Sequence, residues 1–212
     1  MSQSWESIVA ELKSEAGLMH VARESGLQLC RQIIQLSSRS IRCAHRRQFP
    51  EAEALLIDAK ALSAEARAKM QPYGPIFYAG FLHDAEKELV EAASVLCILQ
   101  NLPYPSPSEL GVGMATYLNG IAEAASEVRR YALDEMRRGN VASAEGILNH
   151  METIYDDLIS FDFPDSMTGG LRRTCDALRA VVERTRSDLT ATASQRELIE
   201  ELRRSRGADS GA

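Results

Sequence analysis

The stretch "AEKELVEA", residues 85–92, places Glu88 and Glu91 one helical turn apart at the edge of an almost uncharged run. With Asp84 four residues before Glu88, steps of four and three bring three carboxylates onto one helical stripe. The same stripe runs on to Val95, Ile98 and Leu99, which should be buried, so the carboxylates point toward neighbouring protein or into a cleft. Negative charge is unfavourable there unless a cation or a proton compensates it. A hard divalent ion such as Mg²⁺ suits the position, because it takes oxygen ligands, keeps some waters and needs few carboxylates. Glu123 and Glu127, on a later helical segment, share a face with Arg130 and Asp134 and supply a second acidic pair. If the two helices pack antiparallel across the proline-rich turn at 103–107, the pairs converge, and carboxylates around a divalent ion would activate water for phosphodiester hydrolysis. Spacing alone does not decide the matter. Glu197 and Glu200 repeat it where a solvated terminal helix explains it, and Glu127 with Arg130 also reads as a surface ion pair.

A second set of residues is basic. In "RQIIQLSSRSIRCAHRRQ", Arg31, Gln35, Arg39, Arg42 and Arg46 fall on one helical stripe, with Ile33, Ile34, Leu36, Ile41 and Ala44 elsewhere around the axis. Arginine grips phosphate in a bidentate way, so such a row can follow a nucleic-acid backbone. The alternative is a solvated face paired with Glu51 and Glu53. A net charge of −6 over 212 residues excludes a general basic coat and leaves any nucleic-acid contact to a local patch of this kind.

Other chemistries lack their residues. There is no H-E-x-x-H, no phosphate-loop signature, no G-x-S-x-G, and no His preceded three residues earlier by Glu, as a di-iron bundle needs. His83 could touch the acidic stripe or serve a structural role at a helix start. Cys30, Cys43, Cys97 and Cys175 are scattered without metal-ligand spacing and read as reduced thiols. No apolar stretch spans a bilayer and the N-terminus has no signal-peptide pattern, so the expected location is the cytoplasm, without membrane contact.

The elements that must position these residues are helices. Prolines 50, 72, 75, 103, 105, 107 and 164 each fall where a helical pattern stops or starts, and strand-like alternation is absent. The periodicity predicts one long helix from Ser4 to Gln48, kinked near Gly17 or Gly26 and closed by Pro50. Further helices are predicted over Glu51–Met70, Ile76–Asn101, Pro107–Arg138, Val141–Ser160 and Gly170–Leu189, and a last one over Ser194–Arg204 with Ser194 as N-cap and Glu197 as its capping-box partner. The expectation is an all-α single domain of about seven helices over residues 1–206, followed by a disordered tail at 207–212.

From Tyr117 to Arg173 the sequence resembles the translin superfamily, with a Tyr-Leu-x-Gly start at Tyr117, Leu118 and Gly120 and a Glu-x-x-Arg continuation at Glu127 and Arg130. Glu-x-x-Glu-Ala at Glu88, Glu91 and Ala92 makes it most similar to the translin-associated factor X branch with its archaeal versions, since translin proper lacks that acidic pair. The resemblance implies a translin-like helical bundle assembling into a hollow homo-octamer. It implies RNA, or single-stranded DNA, handled inside, and Mg²⁺-dependent endoribonuclease activity on single-stranded RNA. It assigns the catalytic and metal-binding roles to Glu88, Glu91, Glu123 and Glu127, and nucleic-acid binding to Arg39, Arg42, Arg46 and Arg47. The alternative within the family is a non-catalytic nucleic-acid-binding oligomer. One departure stands out: the active branch usually carries Asp where this chain has Glu123. A carboxylate displaced by about 1 Å can cost roughly a hundredfold in rate.

Overall fold

A computed structural model describes residues 4–209, with side chains described through 206. The chain forms α1 (Trp5–His45), α2 (Phe49–Met70), α3 (Gly74–Phe77), α4 (Phe81–Gln100), α5 (Pro107–Leu110), α6 (Met114–Glu127), α7 (Arg129–Arg138), α8 (Val141–Ile159), α9 (Asp165–Thr168) and α10 (Leu171–Asp209). No strand occurs among the described residues, so the fold is all-α as expected. Helices α3, α5 and α9 are single turns of 4 residues, and the rest match the expected number of helices. Among the described residues no helix is long and apolar enough to cross a membrane.

The helix ends depart from expectation where glycine, rather than proline, sets them. Helix α1 runs unbroken through Gly17 and Gly26, and it ends before Arg47, whose φ of 62° no helix continues. Pro50 therefore lies in the first turn of α2, where its missing N–H costs nothing, and does not close α1. Gly80, at φ 97°, separates α3 from α4 within the helix expected over 76–101. Gly111 divides α5 from α6, and the α6–α7 break at Val128 further divides the helix expected over 107–138. The two C-terminal helices expected separately are one: α10 passes through Ser194, which caps nothing. No glycine or proline interrupts 171–206, and Thr190 and Thr192 donate to the carbonyls of Arg186 and Asp188 four residues back, which satisfies their hydroxyls without breaking the helix. The helix reaches Asp209, into the segment expected as a tail; residues 210–212 lie outside the described residues.

Helix α4 is the centre of the packing. Its apolar run is enclosed by α1 and α2 on one side and by α6 on the other, with α8 and α10 behind α6. Ile33, Met70 and Leu89 fill the first interface; Val95, Leu118, Met151 and Leu178 fill the second. Each such side chain stabilises the fold by about 1.5–3 kcal/mol when fully buried. Glu86, with a side chain only 2% exposed, faces α2 and is answered there: Arg67 Nη2 donates to both its carboxylate oxygens at 2.7 Å. Burial pushes the Glu86 carboxyl up, and Arg67 opposes that rise.

Gly120 sets how closely α4 and α6 approach. A Cβ there would lie 2.6 Å from Val90 Cβ and 2.9 Å from the Lys87 carbonyl oxygen, both parts of α4 that cannot turn aside. Alanine is the better helix former by about 1 kcal/mol, but overpacking a rigid contact costs about 1–3 kcal/mol. Gly120→Ala is therefore expected to destabilise the fold in a chemical-denaturation curve despite its helix propensity. An unchanged or raised midpoint would show that the helices can part without cost.

Candidate metal centre

The close approach at Gly120 brings α4 and α6 side chains together in the turns that follow. Glu88 and Glu91 from α4 and Glu123 from α6 each offer a carboxylate oxygen, and the three lie within 4.8 Å of one another. All three are half-buried. Glu88 and Glu91 form no hydrogen bond or ion pair among the described residues, in contrast to Glu86 two positions earlier. Burial pushes the Glu91 carboxyl up to about 8, with the negative charges of Glu88, Glu123 and Glu127 adding to the rise. Burial and Glu123 also raise Glu88, against the lowering effect of Lys87. A half-buried cluster of carboxylate oxygens whose mutual repulsion raises its carboxyls is a donor set suited to a hard divalent ion.

Glu127 stands beside this group and is not one of its three. His45 Nε2 lies 2.8 Å from Glu127 Oε1, and because a carboxylate only accepts, the imidazole carries its proton on Nε2. His45 is buried at the end of α1, and its Nδ1 has no hydrogen-bond partner among the described residues. Glu123 has a partner of its own: Lys87 Nζ donates to Glu123 Oε1 at 2.7 Å. Burial lowers the Lys87 ammonium, but the hydrogen bond and charge of Glu123, with Asp84 and Glu88, outweigh it and raise the group. Asp84 is largely exposed, and His83 Nδ1 comes no nearer to it than 4.0 Å. Sequence reasoning passed over Lys87 and His45 as site residues. Lys87 was visible within the acidic stretch, four residues before Glu91. His45 had no local signal, since its partner is 82 residues away.

Of the arginines, Arg39 and Arg42 are exposed on α1 and Arg46 at its C-cap, and Arg31 continues the row. Arg42 Nη1 donates to Ser38 Oγ at 2.7 Å, and none of the four forms an ion pair among the described residues. Glu51 and Glu53 therefore do not neutralise the stripe. Arg47 is different: it donates to the buried carboxylate of Glu135 at 2.6 Å and lies over the Tyr131 ring, 5.4 Å from its centroid. Its guanidinium tethers the α1–α2 turn to α7. Arg130 is exposed and makes no ion pair with Glu127.

No family model matches the chain. An uncharacterized protein of Methanocaldococcus jannaschii is 32% identical over 128 residues, which are 60% of this chain and 57% of that protein's length. Among solved structures, AfC3PO superposes with a TM-score of 0.82 at 35% identity, over 89% of this chain and 98% of its own. A complex of AfC3PO with duplex RNA gives the same TM-score and identity over 97% of its chain. The structure of apo-NeC3PO has a TM-score of 0.80 at 22% identity, a likeness of fold. With the α4–α6 core and its Tyr117, Leu118 and Gly120 in place, and with AfC3PO matched over nearly its whole length at 35% identity, the chain belongs to the translin superfamily, in its archaeal-type branch.

Proposed function

We propose that the chain is a Mg²⁺-dependent endoribonuclease that cleaves single-stranded RNA inside a homo-oligomeric, octameric shell in the cytoplasm. The observation that carries this reading is the half-buried group of Glu88, Glu91 and Glu123, whose carboxylate oxygens lie within 4.8 Å of one another. A nearby complex of AfC3PO with duplex RNA supports RNA as the ligand class. The free cysteines fit a reducing compartment.

In this mechanism Glu88, Glu91 and Glu123 would hold the ion, and because burial raises the Glu91 carboxyl, loading would be easier as pH rises. When bound, Mg²⁺ supplies an acidified water and neutralises charge on the scissile phosphate. Glu127, fixed by His45 Nε2, adds negative charge beside the three carboxylates. Arg39, Arg42 and Arg46 track the strand's phosphates, leading it along α1 to the helix end where His45 meets Glu127. The second reading, a non-catalytic nucleic-acid-binding oligomer, needs only these arginines and is favoured by the ammonium of Lys87 already resting on Glu123.

Self-association is supported by the first half of α1, which overhangs the bundle with Leu12, Leu18 and Val21 exposed by 56%, 59% and 67%. Native mass measurement of the wild type should give an even multiple of the subunit mass, and Leu18→Lys with Val21→Lys should shift it to smaller species that remain helical. A wild-type monomer at micromolar concentration would remove the shell.

Changing Arg39, Arg42 and Arg46 together to Ala should weaken RNA binding and flatten its salt dependence, by about 0.7–0.9 in log–log slope per lost phosphate contact. An unaltered slope would make the stripe a solvated face.

Glu88→Gln with Glu91→Gln separates the two readings. A carboxyl raised from 4.5 to about 8 on folding stabilises the fold fully below the lower value, and that contribution is lost as pH rises through the upper. Without metal, the variant should therefore melt above wild type near pH 8, with the gap closing toward about pH 5. Adding Mg²⁺ at neutral pH should release protons from and stabilise the wild type alone. The variant should bind RNA but not cleave it. Undiminished Mg²⁺-dependent cleavage by this variant would sink the assignment, whereas a wild type that binds RNA and never cleaves it would leave the second reading.

A further inference from the structure

Beside the carboxylates lies a polar cleft of about 480 Å³, walled by α4, α6 and the start of α10, with His83, Lys87, Asn119, Glu123, Arg173 and Thr174 among its lining. We infer that this cleft seats one nucleotide of an RNA strand, with its phosphate against Lys87 and Arg173. The inference rests on the nucleic-acid reading above and specifies where the strand meets the site. It does not require that cleavage occur.

The volume falls within the range that encloses small ligands. The wall toward α10 is built rather than incidental. Asn119 Nδ2 donates to the carbonyls of Ala115 and Thr168 at 2.8 Å each, and Thr174 Oγ1 donates to Asn119 Oδ1 at 2.7 Å. These bonds pin the α9–α10 turn to α6. Gly169, at φ 62°, lets that turn pass beside His83 Nε2, which would lie 3.6 Å from a Cβ at this position.

Its cations face inward from both sides. Lys87, on α4, is shared between the cleft and the carboxylate group, and its flexible stem lets the ammonium turn from Glu123 to a phosphate without moving backbone. Arg173, on α10, forms no ion pair among the described residues and offers the planar fork that phosphate accepts. Its neighbour Arg172 instead pairs with Asp162 at 3.3 Å and does not line the cleft. The larger cavity, about 670 Å³ between α6 and α8, is lined by Tyr104, Tyr117, Ile121, Ile154 and Phe161 and holds no lysine or arginine, so it does not suit a phosphate. The cleft's acidic lining is Asp84, at its exposed side, and Glu123, so a nucleotide held by Lys87 and Arg173 lies beside one member of the carboxylate group.

The test measures adenosine 5′-monophosphate binding by ligand-observed NMR in EDTA, so neither Mg²⁺ nor cleavage enters. Glu88→Gln with Glu91→Gln should bind this nucleotide at least as tightly as wild type, since the pair can no longer carry a charge that repels phosphate. In that background, Lys87→Gln or Arg173→Gln should each weaken binding at least about threefold, the loss of one charged phosphate contact. Arg172→Gln should change nothing, and adenosine without phosphate should bind more weakly than the nucleotide. A short single-stranded RNA should displace the nucleotide. Equal binding by the Arg173 variant, an exposed change that leaves the fold intact, would overturn the inference, as would no measurable binding. Retention of the nucleotide at saturating RNA would also overturn it, pointing to a separate free-nucleotide site. A wild type that proves inactive with Mg²⁺ would sink the nuclease reading and leave these outcomes unaffected.

Discussion

The near contact of α4 and α6 at Gly120 is the constraint on which the site depends. A helix pair separated by ordinary side chains has axes about 8–10 Å apart. Here the absence of one Cβ lets the α6 backbone press against Val90 and the Lys87 carbonyl. Three residues on, Glu123 consequently meets Glu88 and Glu91, and Lys87 reaches Glu123. Widening the pair would separate carboxylates that come from different helices while leaving each helix intact. The glycine of the Tyr-Leu-x-Gly motif is thus a packing residue whose effect is read out as charge density.

That charge density is uneven within a single turn and a half of α4. Glu86 is more deeply buried than Glu88 or Glu91, yet it has a bidentate arginine and a serine hydroxyl. Breaking such a buried pair by removing one partner costs about 3–5 kcal/mol, which fixes α2 against α4. Glu88 and Glu91 have no such partner, and burial with the neighbouring carboxylates pushes the Glu91 carboxyl up to about 8. The same helix therefore carries one acidic group compensated by the fold and a pair that the fold leaves without a cationic hydrogen-bond partner among the described residues. Burial alone would not distinguish them; the presence of Arg67 on one face and its absence on the other does.

The all-helical class, the shared face of Glu88 and Glu91 and the exposed arginine row were legible in the sequence because each rests on periodicity along one helix, whereas which residues of α6 meet that face depends on how α4 and α6 pack: Glu123 joins the group and Glu127 turns to His45. The helix ends were less legible. Proline positions located the turns, but Gly80 and Gly111 set the actual breaks through left-handed backbone that sequence patterns do not announce. The merging of the last two helices into α10 was hidden because Ser194 and Glu197 have a capping-box spacing that a continuous helix also tolerates. What could not be read at all were contacts between distant segments: His45 with Glu127, Arg47 with Glu135, and the cleft that joins α4 to the α10 start. Arg47 lies past the helix end, where a positive φ turns its side chain away from the α1 stripe and toward Glu135.

The departure at Glu123 acquires a physical meaning from its neighbour. An aspartate at this position would be shorter by a methylene and would hold its carboxylate nearer the α6 backbone. Glu123 extends far enough to accept from Lys87 while one of its oxygens stays within 4.8 Å of the Glu88 and Glu91 oxygens. The extra length thus does two things at once: it keeps a third carboxylate in the group and ties that carboxylate to a cation on the cleft wall. A site with three acidic groups and one ammonium carries less net repulsion than three acidic groups alone, so the fold can hold the three carboxylates together. On the proposed reading, the same ammonium would have to yield to a more highly charged ion at Glu123, so affinity for that ion would be set by a competition between Lys87 and the ion for one carboxylate, with Glu88 and Glu91 on the same helix as Lys87 favouring the ion.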